Sequence, residues 1–187
     1  MFEPRSDWTD QAHEQLNLAL RQAQGRIEAV IVEQPELTSE QAQLLNQYQL
    51  LFETVANSII EYQFFVGNRL ETKKRDNRSE EFDWSLGPGV AGLPGAAEAD
   101  YVLFVNTTDH YGSTGRKLLQ FAGALAGVGV TSGLHAGYAG LVDLRTGNIL
   151  WLNADKAMGG DVRTLEGAEK RMGQLLEEIP LGPEVQE

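Results

Sequence analysis

The stretch that decides the fold is LVDLRTGNILWL, which covers residues 141–152. Two apolar runs, LVDL and ILWL, flank a threonine–glycine pair, and glycine can take the positive φ that tight turns require. Strand-like runs on both sides of such a turn are typical of a β-hairpin. We therefore predict a hairpin over about 137–153, with Asp143, Arg145 and Gly147 in its turn.

Upstream of the hairpin lie another strand-like run and then a glycine-rich segment. YVLFV, residues 101–105, is the most hydrophobic of the predicted strands, and we expect this strand to end near residue 107. FAGALAGVGVTSGLHAGYAG, residues 121–140, contains neither lysine nor an acidic residue. We interpret its glycines as conformational freedom for a mobile insert, residues 112–136, between this strand and the hairpin.

Three amphipathic helices are predicted because apolar residues recur at three- and four-residue spacing. Thr38 and Gln41 have the spacing of a capping box at the start of the second helix, and Thr164 is the expected N-cap of the third. The predicted spans are 7–24, with Gly25 as the C-cap, then about 38–66, and 164–179, ended by Pro180.

A further strand is predicted from the β-branched run IEAVIV at 27–32, and residues 69–99 are expected to form an irregular surface loop. The resulting order of helices and strands predicts an α/β (α+β) fold. We expect one two-layer domain over 1–180 with a mixed four-stranded sheet and about three packed helices. The C-terminal hairpin precedes the final helix, and residues 181–187 are expected to be a flexible tail.

The composition excludes several classes of function. The chain has 187 residues, a length that suits one domain, and 27 acidic against 15 basic side chains give a net charge of −12. Nucleic-acid binding depends on clustered cationic side chains, so this charge argues against such a partner. The basic run at 73–75 lies among acidic residues and is interpreted as a solvated segment. The absence of cysteine excludes disulfides, zinc–thiolate sites and thiol catalysis.

The glycine-rich segment does not match a phosphate-binding loop. A dinucleotide fingerprint needs G-x-G-x-x-G after a strand, but Gly127 and Gly129 are followed by Gly133, one residue too late, and a helix-like run precedes them. Arginine rather than lysine follows Gly115, so no Walker loop is present. Residues 118–134 are near the shortest length of a spanning helix, but their glycines interrupt any helix. Neither a nucleotide nor a spanning helix is therefore predicted.

No motif for catalysis or metal binding stands out. Asp109, His110 and Ser113 bring the atom types of a hydrolytic triad close in sequence, but the G-x-S-x-G spacing is missing and a polar loop is the simpler interpretation. No histidine has a ligand-spaced partner, so we predict no catalytic residue, no metal and no cofactor. Asp161 and Arg163 either orient a ligand or, more commonly, form an ion pair at the start of the last helix.

The second half of the chain resembles a family of bacterial envelope proteins. ADYVLFV, then Tyr111-Gly112-Ser113 with Gly115-Arg116, then GVGV and GLVDLRTGNILW are similar to the family of the curli-secretion lipoprotein CsgG and to TolB amino-terminal-like domains. SDWT and FDWSLGPGV are more similar to an uncharacterised group of envelope lipoproteins within that superfamily. The resemblance covers about residues 80–165, and its motifs indicate a fold more than an activity.

The resemblance implies a periplasmic or outer-membrane-associated protein that works through oligomers or partners rather than by catalysis. It also implies that residues 112–138 correspond to the insert that contributes to the oligomeric channel of the curli protein. Members of the family begin with a signal, a lipobox cysteine and a first strand, none of which is recognisable from MFEPRSDWTD onward. Two interpretations stay open: the chain begins inside a mature lipoprotein, or it is a soluble relative.

The leading hypothesis is a non-enzymatic cell-envelope domain that acts as a scaffold, or as an assembly or transport-accessory subunit. Its expected partners are further copies of the chain, other envelope proteins or the membrane surface. The residues expected to make contacts in or beside the insert are Tyr111, Arg116, Gly127, Gly129, Gly133 and His135. The alternative is a small-molecule binding protein or hydrolase that uses Asp109, His110 and Ser113.

Overall fold

The hairpin predicted from LVDLRTGNILWL is present in the computed structural model of the chain. The structure describes residues 6–27, 30–32, 36–64, 83–109, 135–155 and 158–180. Within these ranges the strands are β1 (Tyr101–Asp109), β2 (His135–Asp143) and β3 (Ile149–Asp155). The α-helices are α1 (Ser6–Ile27), α2 (Ser39–Ile59) and α3 (Leu165–Leu175). A π-helical segment, Ile60–Phe64, continues α2, and two short 3-10 helices cover Pro88–Gly92 and Ala96–Glu98.

The described strands form one antiparallel sheet in the order β1-β2-β3. β1 and β2 pair without interruption from Tyr101 opposite Asp143 to Asp109 opposite His135. β2 and β3 also pair in antiparallel fashion, but their register shifts beside Leu141. A shift of this kind marks a bulge, which locally increases the twist of a sheet. β1 and β3 are therefore the two edges of the described sheet.

The fourth predicted strand is not formed by the described residues. Ile27 is the last residue of α1, and residues 30–32 have no regular secondary structure. Val30 is 85% exposed, whereas a strand in the core would bury it. Among the described residues the sheet has three antiparallel strands instead of the predicted mixed four. The prediction of Gly25 as a C-cap is wrong, since α1 continues through it. A short β-branched run becomes a strand only where it can pair with a neighbouring strand and pack one face against a core.

Both faces of the sheet are covered, so the described residues form three layers rather than the predicted two. The first face packs against α2 and residues 83–99, with the buried residues Phe52, Ala56, Ile59, Leu86, Val90, Leu93, Phe104, Val142, Leu144, Ile149 and Leu152. The second face packs against α1 and α3, with Ala19, Ala23, Ala139, Leu141, Trp151, Met158, Ala168, Met172, Leu175 and Leu176. Strands covered on both faces need not alternate between apolar and polar residues, which explains the pattern of LVDL and ILWL.

The starts of α2 and α3 are formed by the predicted caps. The Thr38 N–H donates to Gln41 Oε1 (2.9 Å), and the Gln41 N–H donates to Thr38 Oγ1 (3.3 Å). At α3, the Gly167 N–H donates to Thr164 Oγ1 (3.2 Å). These contacts satisfy N–H groups that have no partner inside their own helix. Both capping predictions are confirmed.

Residues 83–99 lie against the core, although the sequence predicted a surface loop there. The Leu86 N–H donates to the Gly147 carbonyl (2.8 Å), and the Ile149 N–H donates to the Trp84 carbonyl (2.8 Å). The start of the segment therefore pairs with the hairpin. The apolar side chains of the segment that are buried in the core are Leu86, Val90 and Leu93. A Gly/Pro-rich composition indicated an irregular path correctly, but it did not indicate which side chains the path buries.

Candidate functional site

The segment between β1 and β2 is residues 110–134, because residues 135 and 136 of the predicted insert belong to β2. We use the word insert for residues 110–134 from here on, and they join the two strands at one end of the sheet. Because these strands stay in register to their ends, Asp109 and His135 lie directly opposite each other. Residues opposite each other in an antiparallel pair have Cα atoms about 4.5–5.5 Å apart. Asp109 was predicted as a residue of a hydrolytic site, and His135 as a contact residue in or beside the insert. The strand register places these two residues opposite each other. We call this pair of positions the insert end of the sheet.

The other residues predicted to make contacts or to act in catalysis lie outside the described residues. They are His110, Tyr111, Ser113, Arg116, Gly127, Gly129 and Gly133. The same holds for the basic run at 73–75 and for the predicted tail at 181–187. The roles assigned to these residues from the sequence therefore stay predictions.

Asp143, Arg145 and Gly147 lie in or beside the turn between β2 and β3. Asp143 Oδ1 accepts hydrogen bonds from the Thr146 N–H (2.7 Å) and the Thr146 hydroxyl (2.9 Å). These two bonds, with a smaller contribution from the nearby Arg145 cation, hold the pKa of the Asp143 carboxyl below its usual value. The Gly147 N–H donates to the Asp143 carbonyl (2.8 Å), and Gly147 has a φ of +77°. Asp143 is thus engaged in shaping the turn.

A shallow, open cleft of about 510 Å³ lies beside this turn. Its lining residues are Ala91, Ala96, Ala97, Ala99, Asp100, Tyr101, Asp143, Leu144 and Arg145. Small-molecule sites usually enclose most of their ligand between apolar walls and a few converging polar groups. This cleft is open and its Asp143 carboxylate already accepts two hydrogen bonds from Thr146. We interpret the cleft as exposed surface rather than as a small-molecule site.

A buried polar network links α3 to the loop that precedes it, and the sequence pattern had not revealed it. The Arg171 side chain is fully buried and donates from Nε to the Gly159 carbonyl (3.2 Å) and from Nη2 to the Gly160 carbonyl (3.1 Å). The Gly159 N–H donates to Gln174 Oε1 (3.0 Å). A buried charge requires such partners. The position of Arg171 on the apolar stripe of α3 was the signal that could have identified it.

Asp161 and Arg163 form an ion pair with each other. Arg163 donates from Nε to Asp161 Oδ1 (2.8 Å) and from Nη2 to Asp161 Oδ2 (2.6 Å). The Arg163 guanidinium also lies over the Trp8 ring, 4.4 Å from its centroid, and so ties the start of α3 to α1. Of the two interpretations of these residues, the ion pair beside the cap of the last helix is confirmed.

Tyr138 carries a buried hydroxyl that has no hydrogen-bond partner among the described residues. Its ring centroid lies 5.9 Å from that of Phe52. Burial, together with the negative charge of Glu53, raises the pKa of Tyr138 to about 12. The phenol is therefore neutral near neutral pH, and its hydroxyl adds a desolvation cost that no hydrogen bond to a described residue offsets.

We expect Tyr138→Phe to be folded and at least as stable as the wild type at neutral pH, because the variant loses only an unmatched hydroxyl. The folded-state pKa of about 12 lies above the ordinary value of 10.0, so the unfolded chain ionises this phenol first. This ionisation therefore leaves the free energy of unfolding unchanged below pH 10 and lowers it as the pH rises from 10 towards 12. Urea unfolding of both proteins between pH 10 and pH 12 should show that the free energy of unfolding declines more steeply with pH in the wild type than in Tyr138→Phe.

A variant that is less stable by more than about 1 kcal/mol at neutral pH would show that the hydroxyl has a partner. The tyrosinate absorbance of the folded protein gives a second check, because Tyr138→Phe should remove one late ionisation and leave the earlier ones unchanged.

No described residues form a group of three or more His, Asp or Glu side chains able to hold a metal ion. Across the same ranges, no helix combines the length and the apolar character needed to cross a membrane. No family model, curated protein or solved structure matches the chain.

Proposed function

We propose that the chain is a non-enzymatic subunit of the bacterial cell envelope that acts as a scaffold, or as an assembly or transport accessory. The motifs from ADYVLFV to GLVDLRTGNILW support this role, since they resemble envelope proteins that work through partners. The structural observation that supports it is the uninterrupted pairing of β1 with β2 as far as Asp109 and His135. The chain therefore leaves β1 and enters β2 at one place, the insert end.

Binding to partners through the insert is consistent with the usual location of binding residues in proteins. Segments that connect the strands of a rigid scaffold hold a large share of the binding residues of proteins. Tyr111 and Arg116 belong to the residue types most enriched at protein interfaces. The partners we propose are further copies of the chain or other proteins of the periplasm or outer membrane, and the membrane surface is a second contact.

Replacing residues 110–134 with a short Asn-Gly turn tests this role. We expect the variant to fold, because the described core residues all lie outside the insert and a tight turn can join two strands that are paired to their ends. We also expect it to lose assemblies larger than a dimer and to lose association with phosphatidylglycerol-containing vesicles. Light scattering with size-exclusion chromatography and vesicle co-sedimentation measure the two losses.

The double substitution Tyr111→Ala with Arg116→Ala is the matched control, because it keeps the length and glycine content of the insert. We expect it to weaken association in the same direction as the replacement. If the wild type and the replacement variant associate alike with themselves and with vesicles, the insert has no role in assembly.

A second candidate function is the binding or hydrolysis of a small molecule by Asp109, His110 and Ser113. The strand register favours it, since it brings the backbone of a further histidine, His135, opposite Asp109. Thermal-shift and ester-hydrolysis screens of the wild type, His110→Ala and His135→Ala test it. A ligand or activity that depends on either histidine would support it, and three identical profiles would exclude it.

A further inference from the structure

We infer that the outer edge of β1 pairs with the β1 edge of a second copy, so that two three-stranded sheets become one continuous sheet. β1 is one of the two edges of the described sheet. The inference uses only described residues of β1 and does not depend on the role proposed for the insert.

Two hydrogen bonds show which backbone groups of β1 face away from β2. The Leu144 N–H donates to the Asp100 carbonyl (3.0 Å), whereas the Asp143 N–H donates to the Asn148 carbonyl (2.9 Å) on the side of β3. Backbone groups point alternately to the two sides of an antiparallel strand. Even-numbered residues of β1 therefore bond to β2, and odd-numbered residues face outward. The outward row consists of Tyr101, Leu103, Val105 and Thr107.

No described residue forms a backbone hydrogen bond with this outward row. The apolar residues of β1 pack on the two covered faces of the sheet, Val102 and Phe104 on the first face and Leu103 and Val105 on the second. Backbone N–H and C=O groups of an edge strand that have no protein partner must bond to water instead. An open row of this kind is also a template on which another strand can pair.

Apart from Asp109 at its end, β1 has none of the sequence features that protect the edges of natural sheets. Edge strands are commonly protected by lysine, by proline or by a bulge. Residues 101–108, YVLFVNTT, contain no charged residue and no proline, and the pairing of β1 with β2 has no register shift. The opposite edge differs, because β3 takes part in the bulge and its first residue, Ile149, donates to the Trp84 carbonyl. β1 is therefore the more open edge.

The charge pattern of β1 favours a second copy in antiparallel orientation. Pairing centred on Val105 places Leu103 opposite the partner's Thr107 and Tyr101 opposite the partner's Asp109. Asp109 is the only charged residue of β1, and in this arrangement the two copies carry it at opposite ends. Parallel pairing would set the two aspartates side by side, and like charges facing each other destabilise a sheet. The antiparallel arrangement also has the two-fold symmetry of a closed dimer.

Association of this kind must overcome the overall charge of the chain. Each copy has a net charge of −12, so two copies repel each other at long range. Dissolved salt screens this repulsion, while the backbone hydrogen bonds at the edge depend little on it. The dimer should therefore become tighter as the salt concentration rises.

Sedimentation velocity of the full chain with Thr107→Pro and Thr107→Val tests the pairing. Proline removes the outward N–H of Thr107 without removing a bond to β2, and such prolines are tolerated on edge strands. Valine changes the side chain but keeps the N–H. We expect a concentration-dependent dimer for the wild type and for Thr107→Val. The dimer of Thr107→Pro should be at least about tenfold weaker, since the symmetric contact loses two hydrogen bonds.

Circular dichroism checks that Thr107→Pro is folded. If it is not, Thr108→Lys replaces it, because Thr108 is exposed and lysine blunts an edge. A wild type that stays monomeric at every protein and salt concentration overturns the inference, as does an undiminished dimer in the folded edge variant. The inference is also overturned if the wild type is monomeric but dimerises once the insert is replaced. In that case the chain itself covers the edge of β1. If the β1 dimer forms and replacing the insert changes neither self-association nor vesicle binding, the result contradicts the proposed function and leaves this inference standing.

The register can be measured with a spin label at Thr108→Cys, which is a unique site because the chain has no cysteine. In the antiparallel dimer the two labelled positions are offset by six residues, or about 20 Å along the strands. Parallel pairing would bring them to within about 10 Å. Pulsed electron paramagnetic resonance distinguishes the two distances, and the shorter one would overturn the antiparallel arrangement.

Discussion

Gly147→Ala is expected to lower the free energy of unfolding by about 3 kcal/mol or more. Gly147 has a φ of +77°, which costs an alanine roughly 1 kcal/mol. A Cβ at this position would also overlap the Gly87 carbonyl. The segment before Gly87 would have to move, and it would lose the hydrogen bonds that the Leu86 N–H and the Ser85 hydroxyl donate to the Gly147 carbonyl. Urea unfolding followed by circular dichroism measures the loss.

Gly173→Ala is the matched control, since it makes the same chemical change in α3 where a Cβ meets no atom within 4 Å. Alanine in a helix is more stable than glycine by about 0.5–1 kcal/mol, so this variant should be slightly stabilised. We therefore expect the free energy of unfolding to fall for Gly147→Ala and to rise slightly for Gly173→Ala. Equal, small effects would show that residues 85–87 do not hold the turn.

Phe52→Ala is expected to lower the free energy of unfolding by about 3–5 kcal/mol. The Phe52 ring is 2% exposed and stacks on Phe104 with 4.7 Å between ring centroids. It also occupies the space above Gly140, where an added Cβ would lie 2.5 Å from the ring. Removing the ring leaves a cavity between α2 and the sheet, and close-packed surroundings only partly fill such a cavity. Denaturant unfolding measures the effect.

Leu51→Ala is the control for this prediction, because Leu51 is adjacent on α2 but 41% exposed. Its loss should stay within about 1 kcal/mol. If the two substitutions destabilised the protein equally, α2 would have to bury a different face from the one the structure shows.

The parts of the fold that were predictable from sequence depend on neighbours close along the chain. The turn at Gly147 needs a positive φ, and the caps at Thr38 and Thr164 need an oxygen placed before the first N–H groups of a helix. Each requirement is met within a few residues, so local chemistry identifies it. The apolar stripe of α3 was predictable for the same reason, but its buried member Arg171 was not recognised.

The errors arose where distant parts of the chain decide the structure. IEAVIV at 27–32 has the composition of a strand, but no strand receives it in the described structure, and Val30 is exposed instead. Residues 83–99 have the composition of a surface loop, but their apolar side chains fill the space between α2 and the hairpin. Composition does not show whether a partner surface is present.

The sequence by itself determined the hairpin, the starts of α2 and α3, and the acidic, cysteine-free character of the chain. Only the tertiary structure decided that both sheet faces are covered, that Asp109 and His135 are neighbours, and that the outward row of β1 has no partner among the described residues. The physical reason is the range of the interactions. Turns and caps are satisfied within a few residues, whereas layers, registers and open edges depend on which distant segments meet.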